Sequence, residues 1–220
     1  MIENALVIGA SGGIGQALAD ELVSRSIEVT RLSRRQDGLD ITHEANVSER
    51  LGALEGRYDL VIVATGILSA SDGPEKSIGA MSSNEMANLF AVNTIGPALI
   101  LKHAKQLFAR NQKTVFAVLS ARVGSIADNR LGGWYSYRAS KAALNQVVRT
   151  ASVELQRTHK QLICIVLHPG TVATTFTRNY PKQETIPPKQ AARNLVDVIE
   201  QLSPEDTGHF IDYVGKEIPW

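Results

Sequence analysis

The sequence predicts a doubly wound α/β fold, one parallel sheet with helices on both faces, and three observations predict it. Short apolar runs alternate with longer helix-periodic segments along the whole chain, the pattern of successive βαβ crossovers. Several apolar runs are continuous rather than alternating, "LVIVA" and "ICIVL" among them, as strands covered on both faces must be. The first strand-like run ends in a glycine-rich turn, "GASGGIG", that opens directly into the helical "QALADELV".

Each element has its own local reason. The opening strand, Asn4–Gly9, is the apolar run "NALVIG". The periodic segment Gly13–Ser24 follows the turn, and Ile27–Leu32, "IEVTRL", is the second strand. Tyr58–Ala64 carries the block "LVIVA", which places the third strand inside the sheet. A long helical segment, Asn84–Arg110, is opened by "SSNE" at Ser82–Glu85, a capping-box pattern. Inside it, Pro97 has no N–H to give the carbonyl of Asn93, so the helix is expected to kink or open there. Thr114–Leu119 and Gln161–Leu167 are the next strands, with the helix Tyr137–His159 between them. Lys189–Leu202 is the last helix and His209–Val214 the last strand. In Thr175–Pro188, "TFTRNYPKQETIPP", Pro181, Pro187 and Pro188 interrupt any helix, and a mobile segment covering a substrate is expected. With no repeat, low-complexity tract or linker, residues 1–220 are read as a single domain.

Composition narrows the function classes. A net charge of +1 gives no reason to expect a nucleic acid or an anionic membrane as partner. No apolar run approaches the roughly 20 residues a membrane span needs, and the first residues show no leader pattern, so a cytoplasmic protein is expected. The single cysteine, Cys164, sits in the apolar "LICIVL" and reads as a buried core thiol in a reducing compartment. The histidines at 43, 103, 159, 168 and 209 are scattered and nowhere at metal-ligand spacing, so no metal is expected.

The context of "GASGGIG" matters more than its glycines. Strand, tight turn and helix N-terminus together present free backbone N–H groups and the positive end of a helix dipole, which suit a pyrophosphate. Gly9, Gly13 and Gly15 let the backbone turn and a ligand approach, although their spacing differs from the common G-x-G-x-x-G. The second strand ends in "RLSRR". The residue about 20 positions past such a turn reads the adenosine ribose, an acid for NAD and an arginine for the extra phosphate of NADP. That place holds Ser33, Arg34 and Arg35, which favours NADP; Asp37, slightly later, leaves NAD open.

The stretch "GGWYSYRASKAALN" holds two tyrosines and a lysine. Residues four apart share a helical face, so Tyr137 pairs with Lys141, whereas Tyr135 lies on another face. An ammonium one turn away is expected to lower the phenol from its ordinary value of about 10 toward the working range of an acid/base catalyst.

These motifs together resemble the short-chain dehydrogenase/reductase family. "GASGGIG", "FAVNTIGP", "YRASK" and "LHPGTVAT" fall in that family's order over nearly the whole chain. "GPEKS", "DNRLGGWYSYRASK" and "EIPW" further resemble its C-factor/sniffer-type carbonyl reductase branch. The resemblance implies a Rossmann-type domain, an NADP cofactor and a small carbonyl or alcohol substrate. It makes Tyr137 the catalytic acid/base, Lys141 the holder of the nicotinamide ribose, and Asn93 part of a proton relay through water. It lays the dinucleotide along Gly9, Ser11, Gly12, Gly13, Ile14 and Gly15. Asp40 and Ile41 then lie by the adenine, Ala64, Thr65 and Gly66 follow the third strand, and Pro169, Gly170, Val172 and Thr174 meet the nicotinamide. It also implies a homodimer or homotetramer; Ala139, Ala142, Ala143 and Ala151 of the helix are small residues that allow close packing, either on a partner or on the protein's own sheet.

Two positions depart from the pattern. The substrate-orienting serine, second of a Ser-Ser pair at a strand end, corresponds to Ala121 in "LSARVGS"; Ser120 is the first substitute and Ser125 the second. "VATG" stands where the family often has Asn-Asn-Ala-Gly. The leading expectation is a carbonyl reductase. The alternative is a dinucleotide-binding sensor or signalling protein with little turnover, and a methyltransferase on a similar sheet leaves the Tyr–Lys pair unexplained.

Overall fold

The computed structural model describes residues 1–71, 73–177 and 184–220. In chain order the elements are β1 (Asn4–Ile8), α1 (Gly13–Ser24), β2 (Glu28–Leu32), α2 (Arg34–Asp37), α3 (Glu44–Gly52), β3 (Leu60–Val63), α4 (Ser83–Phe90), α5 (Gly96–Ala104), β4 (Thr114–Leu119), α6 (Tyr135–Leu155), β5 (Leu162–His168), α7 (Pro188–Gln201) and β6 (Phe210–Asp212). The strands form one sheet in the order β2-β1-β3-β4-β5-β6, every neighbouring pair parallel. This is the Rossmann-like, doubly wound arrangement the sequence implied.

The continuous apolar runs are explained by two cores. Val61, Val63, Phe116, Val118, Cys164 and Val166 face one way, packed with Val47 and Leu51 of α3, Ile100 of α5, and Leu144 and Val148 of α6. Leu60, Ile62, Val115, Ala117, Ile163 and Ile165 face the other, against Leu18 and Leu22 of α1 and Leu195 and Ile199 of α7. Neighbouring residues thus bury into opposite layers, so a central strand has no polar face to show. Cys164 lies wholly inside the first core, where burial pushes its thiol up to about 12.

The helical segment at Asn84–Arg110 is broken into pieces. After α4, residues Ala91–Ile95 form a π-helical turn in which the Gly96 N–H reaches the Ala91 carbonyl, before α5 and a 3₁₀ turn at Lys105–Leu107. Pro97 removes the donor that would close an α-helical turn on Asn93, and the wider turn accommodates the loss. The capping box is half formed: Ser82 Oγ accepts from the Glu85 N–H at 3.5 Å. The Glu85 carboxylate instead accepts from Ser69 Oγ and the Ala70 N–H, at 2.6 and 2.8 Å, tying down the loop after β3.

Helices α2 and α3 were not expected from the sequence. In "EANVSERLG" only Val47 and Leu51 are buried, too few apolar residues to set a period. Pro188 opens α7 rather than interrupting a helix, since a first-turn residue needs no N–H. Of the expected covering segment Thr175–Pro188, residues 178–183 lie outside the described residues; Ile186 on its far side is bonded to Ala173 N and Thr171 O, both at 2.9 Å. No helix among the described residues is long and apolar enough to cross a membrane.

Candidate active site

The order of the sheet reverses direction between β1 and β3, and the loops leaving the carboxyl ends of the strands there bound a cleft of about 530 Å³. Gly9, at φ +88°, turns the chain out of β1, and a Cβ on Gly15 would stand 2.2 Å from the Gly9 carbonyl oxygen, so the turn closes on itself only without side chains. Helix α1 begins at Gly13 with no side chain capping its first turn, and Gly12, Gly13 and Ile14 line the cleft. The Gly12 N–H is spent on the Gly9 carbonyl at 3.0 Å, whereas the Gly13 and Ile14 N–H groups of the first turn are available to an anion. On the opposite wall are Pro169, Gly170, Val172 and Thr174; a Cβ on Gly13 would come within 2.8 Å of Thr174 Cγ2.

The Gly9 and Ala10 N–H groups both donate to the Leu32 carbonyl, at 2.8 and 3.2 Å, which draws the turn after β2 alongside. There Ser33 is buried and caps α2, accepting from the Gln36 N–H. The Asp37 carboxylate folds back onto the Ser33 N–H and Oγ, at 2.8 and 3.1 Å. Arg34 and Arg35 are exposed and have no acidic partner among the described residues. Asp40 closes the next turn by accepting from Thr42 N and Oγ1, which holds its carboxyl below the ordinary value. Ile41 is buried against Gly96 of α5. Gly9, Ser11, Gly15, Ser33, Arg34, Arg35, Asp40 and Ile41 thus flank the cleft rather than line it.

Tyr137 and Lys141 both line it from α6 and are 5% and 3% exposed. The Tyr137 ring packs against Trp134 and Phe176, with centroids 6.1 and 6.0 Å away. Lys141 Nζ donates to the Leu119 carbonyl at 2.9 Å, and burial lowers its pKa to about 8. The expected lowering of the phenol is not found: burial pushes Tyr137 above its ordinary value, and the ammonium is turned toward the end of β4. Desolvation is the cause that acts on the phenol.

Asn93 is fully buried and lies behind the cleft wall. Its Oδ1 accepts from the Ile67 N–H at 2.8 Å, and its Nδ2 donates to the Ile67 carbonyl and Ser140 Oγ, at 2.9 and 3.1 Å. Thr94 Oγ1 donates to the Ser140 carbonyl at 2.7 Å. The π-helical turn is thereby locked to α6 and holds the chain after β3, where Ala64, Thr65 and Gly66 line the cleft. A Cβ on Gly66 would sit 3.3 Å from Asn93 Oδ1 and 3.4 Å from Lys141 Nζ, which measures how closely these groups converge. In the departing "VATG", Thr65 Oγ1 is buried without a partner among the described residues.

At the end of β4, Ser120 lines the cleft but gives its hydroxyl proton to Asn145 Oδ1 at 2.8 Å. Ala121 lines it with a methyl group. Ser125 does not reach it; its Oγ accepts from the Asp128 N–H at 3.0 Å within a turn.

Sequence reasoning missed three contributors. Glu75 of "GPEKS" is buried at the start of α6, where its carboxylate accepts from Ser136 N and Oγ and its carbonyl from the Trp134 N–H. A lone acid 60 residues before the helix gives no sequence signal for this. His168 lines the cleft with its Nδ1 buried and without a partner among the described residues; burial, then Arg122, lowers its pKa to about 4 against the pull of Asp212. Arg138 bridges two loops at the mouth. No group of three His, Cys, Asp or Glu among the described residues is placed to hold a metal.

Comparison with known proteins accords with this geometry. The family model described as enoyl-(acyl carrier protein) reductase matches residues 38–213, most of the chain. The chain belongs to the short-chain dehydrogenase/reductase family. This short-chain dehydrogenase/reductase is 33% identical to C-signal of Myxococcus xanthus over 75% of the chain and 94% of that protein. It is 28% identical to 1-hydroxy-2-glutathionyl-2-methyl-3-butene dehydrogenase of Rhodococcus sp. strain AD45 over the whole of both chains. A short-chain dehydrogenase/reductase from Burkholderia multivorans, solved with bound NADP, superposes with a TM-score of 0.82 and 25% identity over the full length of both. Carbonyl reductase Sniffer of D. melanogaster gives 0.83 at 21% identity over both full chains, a likeness of fold.

Proposed function

We propose that this oxidoreductase is an NADP(H)-dependent carbonyl reductase, interconverting an aldehyde or ketone with its alcohol. The observation that carries the reading is that Tyr137, Lys141 and the uncapped start of α1 open onto one cleft. The B. multivorans relative was solved with NADP, and the residues here fit that group. Gly13 and Ile14 offer N–H groups to its pyrophosphate, with Gly12 holding the turn through its own N–H to the Gly9 carbonyl; exposed Arg34 and Arg35 stand ready for the 2′-phosphate, and Thr65 Oγ1, without a partner among the described residues, lies where the chain after β3 would meet it.

When bound, the dinucleotide supplies the hydride. The chain's own residues do the rest. Tyr137 O–H donates to the substrate oxygen; burial keeps the phenol protonated at neutrality, so the proton is in place. Lys141, able to lose or keep its proton near pH 8, holds the ribose and stabilises the phenolate left behind. The Asn93 carbonyl, left without an α-helical donor by Pro97, is the seat for a relay water that reprotonates the pair. Ser120, with its proton held by Asn145, offers the substrate an acceptor, so Tyr137 is the principal donor. We expect a homodimer or homotetramer, read by sedimentation; half-buried Ala139, Ala142 and Ala143 of α6 are small enough for a partner helix to pack closely, whereas Ala151 packs on this chain's own core.

The experiment is NADPH and NADH oxidation against aldehydes, ketones and quinones, with Tyr137→Phe alongside. The wild type is expected to prefer NADPH. The variant is expected to lose at least about 100-fold in kcat while NADPH affinity stays within about threefold, since the phenol is invoked for proton transfer rather than for binding. Equal turnover by the variant would sink the assignment of Tyr137. One observation favours a second reading, a dinucleotide-binding sensor: Ala121 provides no hydroxyl and Ser120 points its proton into the protein. Tight NADPH binding without turnover across the panel would put that reading first.

A further inference from the structure

The charged groups around the cleft are unevenly matched. Arg122, Arg130, Arg138 and Lys141 line it, against the single carboxylate of Asp128. Arg122 is already engaged, with Asp128 at 3.1 Å and Asp212 at 3.4 Å. Arg138 is different. Its Nε donates to the Gly133 carbonyl at 3.0 Å and its Nη1 to the Val123 carbonyl at 3.2 Å, so the guanidinium spans the two loops that wall the cleft. No carboxylate among the described residues pairs with it, and burial alone acts on it, lowering its pKa. A guanidinium has five N–H donors; with two used by these carbonyls, an edge remains that matches the two oxygens of a carboxylate. Arg130, exposed and without an ion pair among the described residues, lines the same mouth.

A partly desolvated cation with no counter-charge is costly unless something supplies one. Both partners of Arg138 are backbone carbonyls, neutral acceptors that orient the group without neutralising it. The wall beside it is apolar: Leu68, Val123, Leu131, Trp134 and Phe176, with Leu131 92% exposed. Tyr137 and Arg138 are consecutive on α6, hence rotated by roughly 100° about its axis, so an anion on Arg138 lies to one side of the reacting carbon.

We infer that the substrate carries a carboxylate, recognised by Arg138 with Arg130 beside it, on an apolar body that spans the distance to the carbonyl at Tyr137. This rests on the carbonyl-reductase reading and names its substrate class.

The test compares 4-carboxybenzaldehyde with its methyl ester, methyl 4-formylbenzoate, as NADPH-dependent substrates at low ionic strength. The acid is expected to exceed the ester in kcat/KM by at least about tenfold, the advantage shrinking with added salt. In Arg138→Gln the ratio is expected to fall to within about twofold of one, as a charge-assisted pair is lost. Because Arg138 also braces two loops, Arg130→Gln provides a variant at an exposed side chain with no hydrogen bond or ion pair among the described residues; it is expected to reduce the ratio by about threefold. Calorimetry of 4-(hydroxymethyl)benzoate and its methyl ester on the NADP-loaded protein reads the same preference without turnover. An Arg138-dependent preference in binding with no reduction of either aldehyde would keep the anion site and overturn the reductase reading. Equal kcat/KM and equal binding of acid and ester, or a preference that survives both variants, would overturn the anion site and leave the reductase reading standing.

Discussion

Replacing Lys141 by methionine separates what this residue does for chemistry from what it costs the fold. Burial lowers its amine from 10.5 to about 8, which at about 1.4 kcal/mol per pH unit is a penalty of about 3 kcal/mol for keeping the ammonium inside at pH 7. Methionine of similar length removes that penalty but leaves the Leu119 carbonyl without its 2.9 Å donor, a loss of about 1 kcal/mol. The variant is therefore expected to be more stable by about 2 kcal/mol at pH 7, or about 4–8 °C in Tm for a chain of this size. The sign reverses with pH. Between the folded value near 8 and the unfolded value of 10.5, the unfolded chain binds the proton and the folded chain does not, so wild-type stability rises with pH. The variant lacks that rise, and its advantage is expected to vanish by about pH 10. Urea unfolding of both cofactor-free proteins at pH 7, 9 and 10 reads this, and NADPH oxidation should meanwhile be lost. A Lys141→Met protein less stable than wild type at pH 7, or a difference that does not change with pH, would refute the reasoning.

Two further outcomes are expected. Asn93→Ala removes three buried hydrogen bonds, to Ile67 N, Ile67 O and Ser140 Oγ, and should destabilise by about 2–4 kcal/mol in urea titrations; a loss under about 1 kcal/mol would show that the turn after β3 is held otherwise. The double variant Arg34→Gln, Arg35→Gln should raise the Kd for NADPH by about tenfold or more and leave NADH within about twofold, measured by fluorescence titration. If both cofactors weaken equally, the arginines do not read the 2′-phosphate.

The elements most legible in the sequence were those whose signal is local. The blocks at Leu60–Val63 and Leu162–His168 announce buried strands because each neighbouring residue must be apolar when both faces are covered. The break at Asn93 was legible because a missing N–H at Pro97 is a covalent fact. Helix α3 was not legible, because it buries only Val47 and Leu51 and its stability comes from packing on the sheet. The four-residue spacing put Tyr137 and Lys141 on one helical face, but it gave no warning of how dry that face is, and the expected direction of the phenol's shift was wrong for that reason.

Ser120 and Ala121 divide the two kinds of information most sharply. The sequence alone determined that the expected serine is absent and which hydroxyls stand nearby. Only the tertiary structure decided that Ser125 is spent in a turn and that Ser120 commits its proton to Asn145. The same holds for the charges. The sequence determined how many arginines there are, and its net charge of +1 suggested nothing. The fold decided that Arg122 is neutralised by Asp128 and Asp212, which lie 6 and 90 residues away, while Arg138 meets no carboxylate among the described residues. Periodicity and motif spacing are properties of neighbours along the chain and survive in one dimension. Desolvation and charge pairing depend on which distant groups the fold brings within a few ångströms, and those pairings exist only once the sheet has assembled.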